Sequence, residues 1–540
     1  MHVSKVLIEN YKCFEGRFDL PLSNDVNIIV GNNEAGKSTI IEAIHICLSG
    51  LLNGRHLRNH LSQYLFNNIV EKNYLDSLMS DEKIAPPRIT IEVYLEDGPA
   101  LFEGNNNLDK AKASGISLKI EFDSEYQLQY EELLKSDEEI KSIPIEYYKI
   151  TWRSFARDGL TSQAIPFKSA IIDSTATRFQ NGSDIYISRI VRNELDEKQK
   201  VEISQAYRSL KEQFKETPSI LEINEMITSI ADISDKEVKI GVNLATKDAW
   251  EFGLTTFLND VPFQNVGKGE QCIVKTNLSL GNKASKNAGV ILIEEPENHL
   301  SHTKLNQFIK GITNKSKTKQ VIITTHDNFV ANKLGLNNLI LLHKQKVMTI
   351  GDLKEETQEF FQKLPGYQTL RMLLAEKAVL VEGDSDELIV QKAYMKSNDG
   401  KLPIEDGIDV ISVKLTFKRF LYIAEQLELP VAVVTDNDKN YKRNIKKKYK
   451  EFKEVSSIQI FADKRTELNT LEPQFVEANK HQLKKLCEVI ELDFEKYNSE
   501  ELISKKMQKM KTTWALRVFN SSEQLEFPDY INRLIKWCNE

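Results

Sequence analysis

The sequence contains few cysteines and no long apolar run. Its five cysteines are scattered and form no Cys-x-x-Cys pair, which argues against a disulfide framework or a zinc site and favours a reducing compartment. The longest apolar runs, such as 290–293 and 378–381, have the length of strands and fall far short of the roughly 20 residues that span a bilayer. The first residues lack the apolar segment of a signal peptide. We therefore expect a cytoplasmic protein without membrane contact.

The sequence also lacks an excess of one charge, internal repeats and sustained heptads. Because the net charge is only −7, nucleic-acid binding would need a local basic patch. The absence of heptads argues against the rod-like arms of a chromosome-structuring ATPase. A chain of 540 residues is too long for a single core, so about two to four domains are expected.

Apolar strands and helices alternate in both halves of the chain, which predicts an α/β fold with parallel sheets. The charged helical stretch at 193–233 is either a surface helix pair or an inserted arm for dimer contacts. The expected organisation is the N-terminal part of a first α/β domain at 1–155, a helical insertion with a dimerisation role at 156–240, the C-terminal part of that domain at 241–350, a helical connector at 351–376, and a second α/β domain at 377–540.

Residues 31–39, Gly-Asn-Asn-Glu-Ala-Gly-Lys-Ser-Thr, fit the pattern G-x-x-x-x-G-K-[ST] between an apolar strand and a helix. Gly36 allows backbone N–H groups to surround phosphate oxygens, and Lys37 would reach the β and γ phosphates of ATP. The Ser38 hydroxyl would ligate Mg²⁺. Asn32 and Thr39 complete the expected nucleotide contacts. A plain glycine turn does not explain Lys-Ser at the start of a helix.

Two glutamates follow the apolar run 290–293, which is typical of a Walker B strand. Glu294 would hold Mg²⁺ through its water shell, and Glu295 would act as the general base that polarises the attacking water. Glutamate replaces the usual aspartate at 294, so ATP binding is better supported than hydrolysis. His326 ends the next strand, where it would contact the γ-phosphate unless its role is structural.

Residues 265–271, Asn-Val-Gly-Lys-Gly-Glu-Gln, loosely resemble the signature motif of ABC-type ATPases, although Leu-Ser-Gly-Gly-Gln itself is missing. In that motif, glycines at the positions of Gly267 and Gly269 approach the γ-phosphate bound by a partner subunit. The motif thus implies dimerisation of the heads, whereas the alternative is an ordinary glycine turn. The opening residues 8–14 resemble the first strand of the SMC and RecF branch.

Two further apolar strands end in carboxylates, the first before Glu382 and the second before Asp436. Asp386 lies four residues beyond Glu382, and Asp438 two beyond Asp436. Because neighbouring parallel strands end at one crevice, the four side chains should converge. They would repel one another at neutral pH unless cations lay among them, and all-oxygen ligands favour Mg²⁺ or Mn²⁺. The alternative is that they merely mark exposed strand ends.

These residues resemble the Toprim pattern of topoisomerases, primases and certain nucleases. An ABC-type head followed by Toprim resembles the OLD (overcoming lysogenization defect) family of nucleases over essentially the whole chain. The resemblance is closest to the branch with the Gabija large subunit and the retron-associated OLD nucleases, and it extends to 364–371, 469–473 and 511–515. It implies that Glu472 is a further metal-site carboxylate and that Lys511 stabilises the pentavalent phosphate or its leaving oxygen.

The function that we expect is an ATP-binding, Mg²⁺- or Mn²⁺-dependent DNA endonuclease gated by its ATPase head. The resemblance implies anti-phage defence and an accessory subunit, which is a helicase-like protein or a reverse transcriptase with its RNA–DNA product. A homodimer or higher homo-oligomer is expected through the helical insertion and the ATPase head, whose two parts are 1–155 and 241–350. The main alternative is a DNA-binding regulatory ATPase whose Toprim domain binds nucleic acid or a partner without cleaving. A topoisomerase would need a strand-passing domain, for which there is no room. The basic run at 439–450 either is a solvated face or contacts DNA phosphates.

Overall fold

The structure is a computed structural model, and its description omits part of the chain. The residues that it describes are 1–32, 34–53, 55–80, 82–135, 140–161, 164–165, 167–173, 179–180, 183–184, 195–230, 240, 250, 255–281, 288–297, 300–301, 303–305, 307, 311, 319–326, 338–352, 355, 371–372, 375–414 and 416–540. Most of the predicted connector at 351–376 lies outside these residues. Two compact units are formed, one by Met1–Val26 with Ser38–Thr324 and one by Asn27–Lys37 with Thr325–Glu540.

The regular elements are numbered in chain order. Strands of four or more residues are β1 (His2–Glu9), β2 (Arg17–Pro21), β3 (Val26–Gly31), β4 (Ile89–Glu96), β5 (Ala113–Phe122), β6 (Tyr148–Ser154), β7 (Lys168–Asp173), β8 (Ala288–Glu294), β9 (Gln320–Thr325), β10 (Leu339–His343), β11 (Lys346–Thr349), β12 (Lys377–Val381), β13 (Ile408–Ser412), β14 (Val431–Val434) and β15 (Ile458–Phe461). The α-helices are α1 (Lys37–Ser49), α2 (Asn68–Leu78), α3 (Gln127–Lys135), α4 (Glu197–Lys215), α5 (Pro218–Ile230), α6 (Lys268–Gly281), α7 (Asp384–Ser397), α8 (Phe417–Leu427), α9 (Leu471–Ala478), α10 (Leu483–Val489), α11 (Glu500–Met510), α12 (Thr512–Asn520) and α13 (Asp529–Asn539).

The first unit contains an antiparallel sheet and a set of parallel strands. The antiparallel sheet has the order β2-β1-β4-β5-β6. Strands β7, β8 and β9 pair in parallel, and the apolar residues of β8 and β9 are buried, as expected for parallel strands covered on both faces. The predicted helical stretch at 193–233 is present as α4 and α5, except for its end residues 193–194 and 231–233, which lie outside the described part.

The second unit contains β3, which pairs in parallel with β10, and a separate four-stranded sheet. That sheet has the order β13-β12-β14-β15, with every neighbouring pair parallel. The apolar residues 378–381 and 431–434 are almost completely buried, as expected for β12 and β14 at the centre of the sheet. Helices α9 to α13 add a layer in which Trp514 packs against Phe475 with ring centroids 5.4 Å apart.

Of the helices that the structure describes, none is both long and apolar enough to cross a bilayer.

Candidate functional site

The carboxyl ends of β12 and β14 lie side by side, because these strands are neighbours in the sheet. The Glu382 side chain links them, since its Oε1 accepts hydrogen bonds from the Asp436 backbone N–H at 3.0 Å and from Thr435 Oγ1 at 2.5 Å. The backbone at the end of one strand thereby orients the carboxylate at the end of the other.

Asp386 lies in the first turn of α7, directly after the glycine turn at the end of β12. Its Oδ2 accepts a hydrogen bond from the Gly383 N–H at 3.1 Å, which is the arrangement of a helix capping box. A capping role could account for this residue alone. Its electrostatic surroundings, however, join it to the other carboxylates.

Five carboxylates share one electrostatic environment, and we call them the acidic cluster. The acidic cluster comprises Glu382, Asp386, Asp436, Asp438 and Glu472. Burial, together with the charges of the other four members, raises the pKa of Asp436 to about 9. Burial and then the charges of Glu382 and Glu472 raise the pKa of Asp386 to about 7. All five carboxylates that the sequence predicted for this site are therefore close enough for the charges of the other four to act on Asp436.

Asn437, the middle residue of Asp-Asn-Asp, was not among the predicted site residues, but it connects the end of β14 to the loop after β15. Its side chain is fully buried, and its Nδ2 lies 2.8–3.2 Å from the carbonyl oxygens of three residues in the loop after β15. These residues are Asp463, Arg465 and Leu468. The Asp438 N–H donates to the Asn469 carbonyl oxygen at 3.3 Å, in the same loop. Because this loop leads directly into α9, Asn437 helps to position Glu472 at the start of that helix.

The turn at Asp438 has an uncommon backbone conformation. Asp438 and Lys439 have φ values of 43° and 63°, in the left-handed region that residues with a side chain seldom adopt. The Asn437 Oδ1 accepts a hydrogen bond from the Lys439 N–H at 3.0 Å, which stabilises this turn. The sequence feature that could have indicated this role is an asparagine between two aspartates at the end of a strand.

Lys511 connects α11 to α12 and is exposed. Its backbone has φ 52° and ψ −128°, a conformation that is costly for any residue except glycine and is concentrated at functional sites. Gln508, in the last turn of α11, donates to Thr470 Oγ1 at 3.2 Å beside the start of α9. Within the described chain, however, Lys511 makes no salt bridge, so the structure does not join its amine to the acidic cluster.

The phosphate loop has the features that its sequence predicts. A Cβ atom at Gly31 would lie 2.4 Å from the Leu342 carbonyl oxygen, and Gly36 has φ 95°, so both positions require glycine. The Lys37 ammonium is nearly buried and donates to the carbonyl oxygens of Gly31 and Asn32 at 2.9 and 3.0 Å. The loop thus holds a positive charge at the start of α1, which suits a phosphate group.

The other nucleotide-site residues lie at the predicted ends of elements. Glu294 is the last residue of β8, and Glu295 follows with φ 39° while its N–H donates to the Thr324 carbonyl oxygen at 2.9 Å. Gly267 directly precedes α6, and Gln271 holds this turn by donating from Nε2 to the Val266 carbonyl oxygen at 2.8 Å. Asn32, Gly36, Lys37 and His326 belong to the second unit, and Ser38, Thr39, Gly267, Gly269, Glu294 and Glu295 belong to the first.

Comparison with known proteins identifies the class of this protein, which is an ATPase joined to a TOPRIM domain. Residues 1–331 match the family described as AAA ATPase domain, and residues 373–438 match the overcoming lysogenization defect protein-like TOPRIM domain. The chain belongs to the AAA ATPase domain family and carries the TOPRIM domain of the OLD-like proteins. The predicted resemblance to the OLD family is thereby confirmed, whereas the Gabija or retron branch stays a prediction.

Individual relatives are more distant. The DNA replication and repair protein RecF of Haemophilus ducreyi is 35% identical over 81 residues, which are 15% of this chain and 21% of that protein. The chain thus spans about a fifth of the length of that relative. The SMC head domain from Thermotoga maritima is 15% identical with a TM-score of 0.31, over 64% of this chain and 97% of that one. The C-terminal region of the Burkholderia pseudomallei OLD protein is 19% identical with a TM-score of 0.25, over 31% and 97%.

The predicted fold class is also confirmed. It is an α/β protein in which an ATPase head precedes a Toprim domain with a parallel sheet.

Proposed function

We propose that the chain is an ATP-binding, metal-dependent DNA endonuclease of the OLD type. The observation that carries this proposal is the acidic cluster, in which five carboxylates from two strand ends and two helix starts share one environment. The raised pKa values of Asp386 and Asp436, at the carboxyl edge of a parallel sheet, favour a functional site over a solvated edge. The OLD-like TOPRIM match covers four of the five members.

The donor set fits Mg²⁺ or Mn²⁺, because every donor is a carboxylate oxygen. Over the described residues, no three acidic, histidine or cysteine side chains already stand in the geometry of a metal site. Bound ions would supply Lewis-acid activation of water and would stabilise the leaving oxygen of the phosphate.

The chain's own groups have separate roles in this proposal. Glu382 is held by backbone and hydroxyl donors, so it would bind an ion with little loss of rotamer entropy. Asp386 and Glu472 lie in the first turns of α7 and α9 and would supply further carboxylate ligands. Lys511 is proposed to neutralise charge on the transferred phosphate, a role supported by its strained backbone at a helix junction.

The ATPase head is proposed to regulate cleavage. Asn32, Gly36 and Lys37 would hold the phosphates of ATP, together with Ser38 and Thr39 at the start of α1. Glu294 and Ser38 would hold Mg²⁺, with Glu295 as general base and His326 at the γ-phosphate. Gly267 and Gly269 would meet the nucleotide of a partner subunit. Engagement of two heads is a two-state element, and such an element can gate a nuclease.

Conversion of supercoiled plasmid DNA to nicked or linear forms tests the proposed nuclease activity directly. The purified full chain should produce nicked or linear plasmid in Mn²⁺ or Mg²⁺, and excess EDTA should stop the reaction, because the acidic cluster needs cations to act. Agarose gels over a time course provide the measurement. If neither metal supports cleavage although the protein is folded, the alternative gains support, which is a DNA-binding regulatory ATPase whose Toprim domain does not cleave.

The same assay tests the nucleotide gate through Lys37→Ala. This change removes a charge-assisted contact to phosphate, so ATP affinity should fall about 10- to 100-fold. ATP should then no longer alter the rate of nicking, which is compared with wild type and with the exposed-lysine control Lys83→Ala. An unchanged response to ATP in Lys37→Ala would contradict the gate.

A second copy of the chain is the proposed partner of helix α4. Leu210 and Phe214 lie one turn apart, with 64% and 52% of their surfaces exposed, on a stripe that also includes Ile203 and Tyr207. An exposed apolar stripe of this kind is typical of a helix that packs against a partner. The signature-like motif near Gly267 independently calls for paired heads.

Leu210→Ser combined with Phe214→Ser should shift the protein from dimer to monomer, because it removes the apolar contact. Light scattering coupled to gel filtration, over a range of protein concentrations, provides the measurement. The matched control is Val201→Ser, since Val201 is 56% exposed on the opposite side of the same helix. If both variants keep the mass of the wild type, α4 is not the dimer contact.

The proposed biological role is anti-phage defence with an accessory subunit, either helicase-like or a reverse transcriptase with its RNA–DNA product. This proposal is supported by the OLD-like TOPRIM match. The test is the plating efficiency of phage on cells that carry the genes for this chain and its accessory subunit, with and without an intact Asp436 codon. Equal plating on both would exclude a defence role that depends on cleavage.

A further inference from the structure

The segment directly after Asp438 is strongly basic. Between 439 and 450, which we call the basic segment, seven of twelve residues are lysine or arginine and none is acidic. The cations are Lys439, Lys442, Arg443, Lys446, Lys447, Lys448 and Lys450. Six of them are exposed, and Lys448 is half-buried. In a chain with a net charge of −7, this is the local basic patch that nucleic-acid binding requires.

The basic segment packs against the acidic cluster with its uncharged side chains. Asn444 Nδ2 donates to the carbonyl oxygens of Asn437 and Asp438 at 3.1 and 3.4 Å. Ile445 and Tyr449 are buried, and burial followed by the charge of Glu382 raises the pKa of Tyr449. The inner face is therefore fixed beside the carboxylates, which leaves the cations on the outer face.

Among the residues that the structure describes, none of the seven cations of the basic segment has a carboxylate within salt-bridge distance. The first acidic residue beyond the segment, Glu451, instead accepts from Lys418 Nζ at 2.5 Å and from the Tyr422 hydroxyl at 3.1 Å. An ordinary solvated helix face carries both signs of charge, and its lysines commonly pair with acids one turn away. Over the described residues, this face carries one sign of charge and has no such pairs.

The local backbone also departs from an ordinary surface helix. Lys442–Lys447 forms a π-helical turn, a feature that is rare in proteins but is often found at functional sites. Lys448 lies over the rings of Phe417 and Tyr449, 5.8 and 5.3 Å from their centroids, so its position is fixed by aromatic contacts. The segment thus presents its charges from a defined position beside Asp438.

We infer that the outer face of the basic segment binds the sugar–phosphate backbone of duplex DNA beside the phosphate that is cut. This inference rests on the proposed nuclease function and names the form of its substrate. Lysines act as point charges that suit phosphates, and their contacts carry no base sequence. Single-stranded DNA is disfavoured because its binding surfaces usually offer exposed aromatic rings for base stacking, whereas Tyr449 is buried and Tyr441 is half-buried.

Salt-dependent binding tests the inference without cleavage. The full chain is titrated against a fluorescein-labelled 30-base-pair duplex in Ca²⁺, with fluorescence anisotropy recorded over a range of KCl concentrations. Changing Lys442, Arg443, Lys446 and Lys447 together to Gln should weaken binding by about 10- to 100-fold. It should also make the slope of log association constant against log KCl concentration less steep by about 3 to 4, since each lost phosphate contact contributes about 0.9. The double variant Lys446→Gln/Lys447→Gln should show about half of that change in slope.

The matched control is Lys484→Gln combined with Lys536→Gln. Both lysines are exposed in the second unit and lie outside the basic segment, so affinity and slope should stay at wild-type values. Equal melting temperatures confirm that every variant is folded. The inference is overturned if the wild type does not bind the duplex, if the slope is unchanged in the quadruple variant, if the control loses as much, or if the single strand binds as tightly as the duplex.

The binding and cleavage results separate the two proposals. If plasmid is not nicked in any metal but the quadruple variant changes the salt slope, the DNA contact holds and the nuclease proposal fails. If plasmid is nicked but the slope is unchanged, the nuclease proposal holds and the basic segment is not the DNA contact.

Discussion

Asp436→Asn is expected to abolish DNA cleavage and, at the same time, to stabilise the metal-free protein. Cleavage should fall on the order of 1,000-fold, because the change removes a carboxylate from the centre of the proposed metal site. Stability should rise, because Asp436 is the member of the acidic cluster that is most strongly opposed by its neighbours. Burial and the four other carboxylates raise its pKa to about 9. An ordinary surface residue shows no such opposite effects on activity and stability.

The sign of the stability effect follows from the two pKa values. The unfolded chain releases the Asp436 proton near pH 4, whereas the folded chain releases it near pH 9. Folding is therefore favoured by this group below about pH 4, and that advantage is lost progressively as the pH rises toward 9. At pH 7 asparagine avoids the loss, so the metal-free variant should melt at a higher temperature than wild type. The difference should shrink toward pH 4.

Thermal melting with and without Mn²⁺ provides the measurement for this prediction. Mn²⁺ should raise the melting temperature of the wild type, because it neutralises the repulsion, and should raise that of Asp436→Asn much less. The matched control is Asp384→Asn, an exposed acid in the first turn of α7 that does not belong to the acidic cluster. A control that also loses cleavage, or an Asp436→Asn variant that nicks plasmid at the wild-type rate, would contradict the proposed site.

The acidic strand ends could be predicted from the sequence because two simple regularities meet there. Buried parallel strands are continuous apolar runs, and their carboxyl ends meet at one edge of the sheet. The predicted strands 378–381 and 431–434 differ from β12 and β14 by at most one residue. The direct pairing of β12 with β14 is a long-range arrangement, and it is what places Glu382 beside Asp436.

Other parts of the site were beyond local sequence patterns. Strand β15 has only four residues, Ile-Gln-Ile-Phe, and its exposed glutamine makes it a weak apolar run. Glu472 lies far along the chain from Asp438, so only the family resemblance indicated it. The loop that brings it close is held by the side chain of Asn437, and hydrogen bonds to residues 26 to 31 positions away have no local signal.

Asn437→Ala is expected to lower stability and metal affinity together. The change removes the amide donor that the carbonyl oxygens of Asp463, Arg465 and Leu468 share, which should cost about 1–3 kcal/mol. The loop after β15 would then lose its connection to the Asp436–Asp438 turn, and Glu472 would no longer be held beside the other carboxylates. Asn437 does not itself belong to the acidic cluster, so its role is to position Asp438 and Glu472.

Two further variants separate the amide donor from side-chain volume and from general surface effects. Asn437→Asp keeps the shape but directs carboxylate oxygens at the three carbonyl oxygens, so it should be at least as unstable as Asn437→Ala. Asn440→Ala is the matched control, since Asn440 is exposed and its Oδ1 accepts only a local bond from the Arg443 N–H at 3.0 Å. Its melting temperature should stay close to that of the wild type.

The measurements are the melting temperature and the Mn²⁺ concentration that gives half of the Mn²⁺-induced shift in melting temperature. A positioning role predicts that Asn437→Ala raises this concentration at temperatures where the variant is fully folded, whereas a purely structural role predicts a lower melting temperature with unchanged Mn²⁺ affinity.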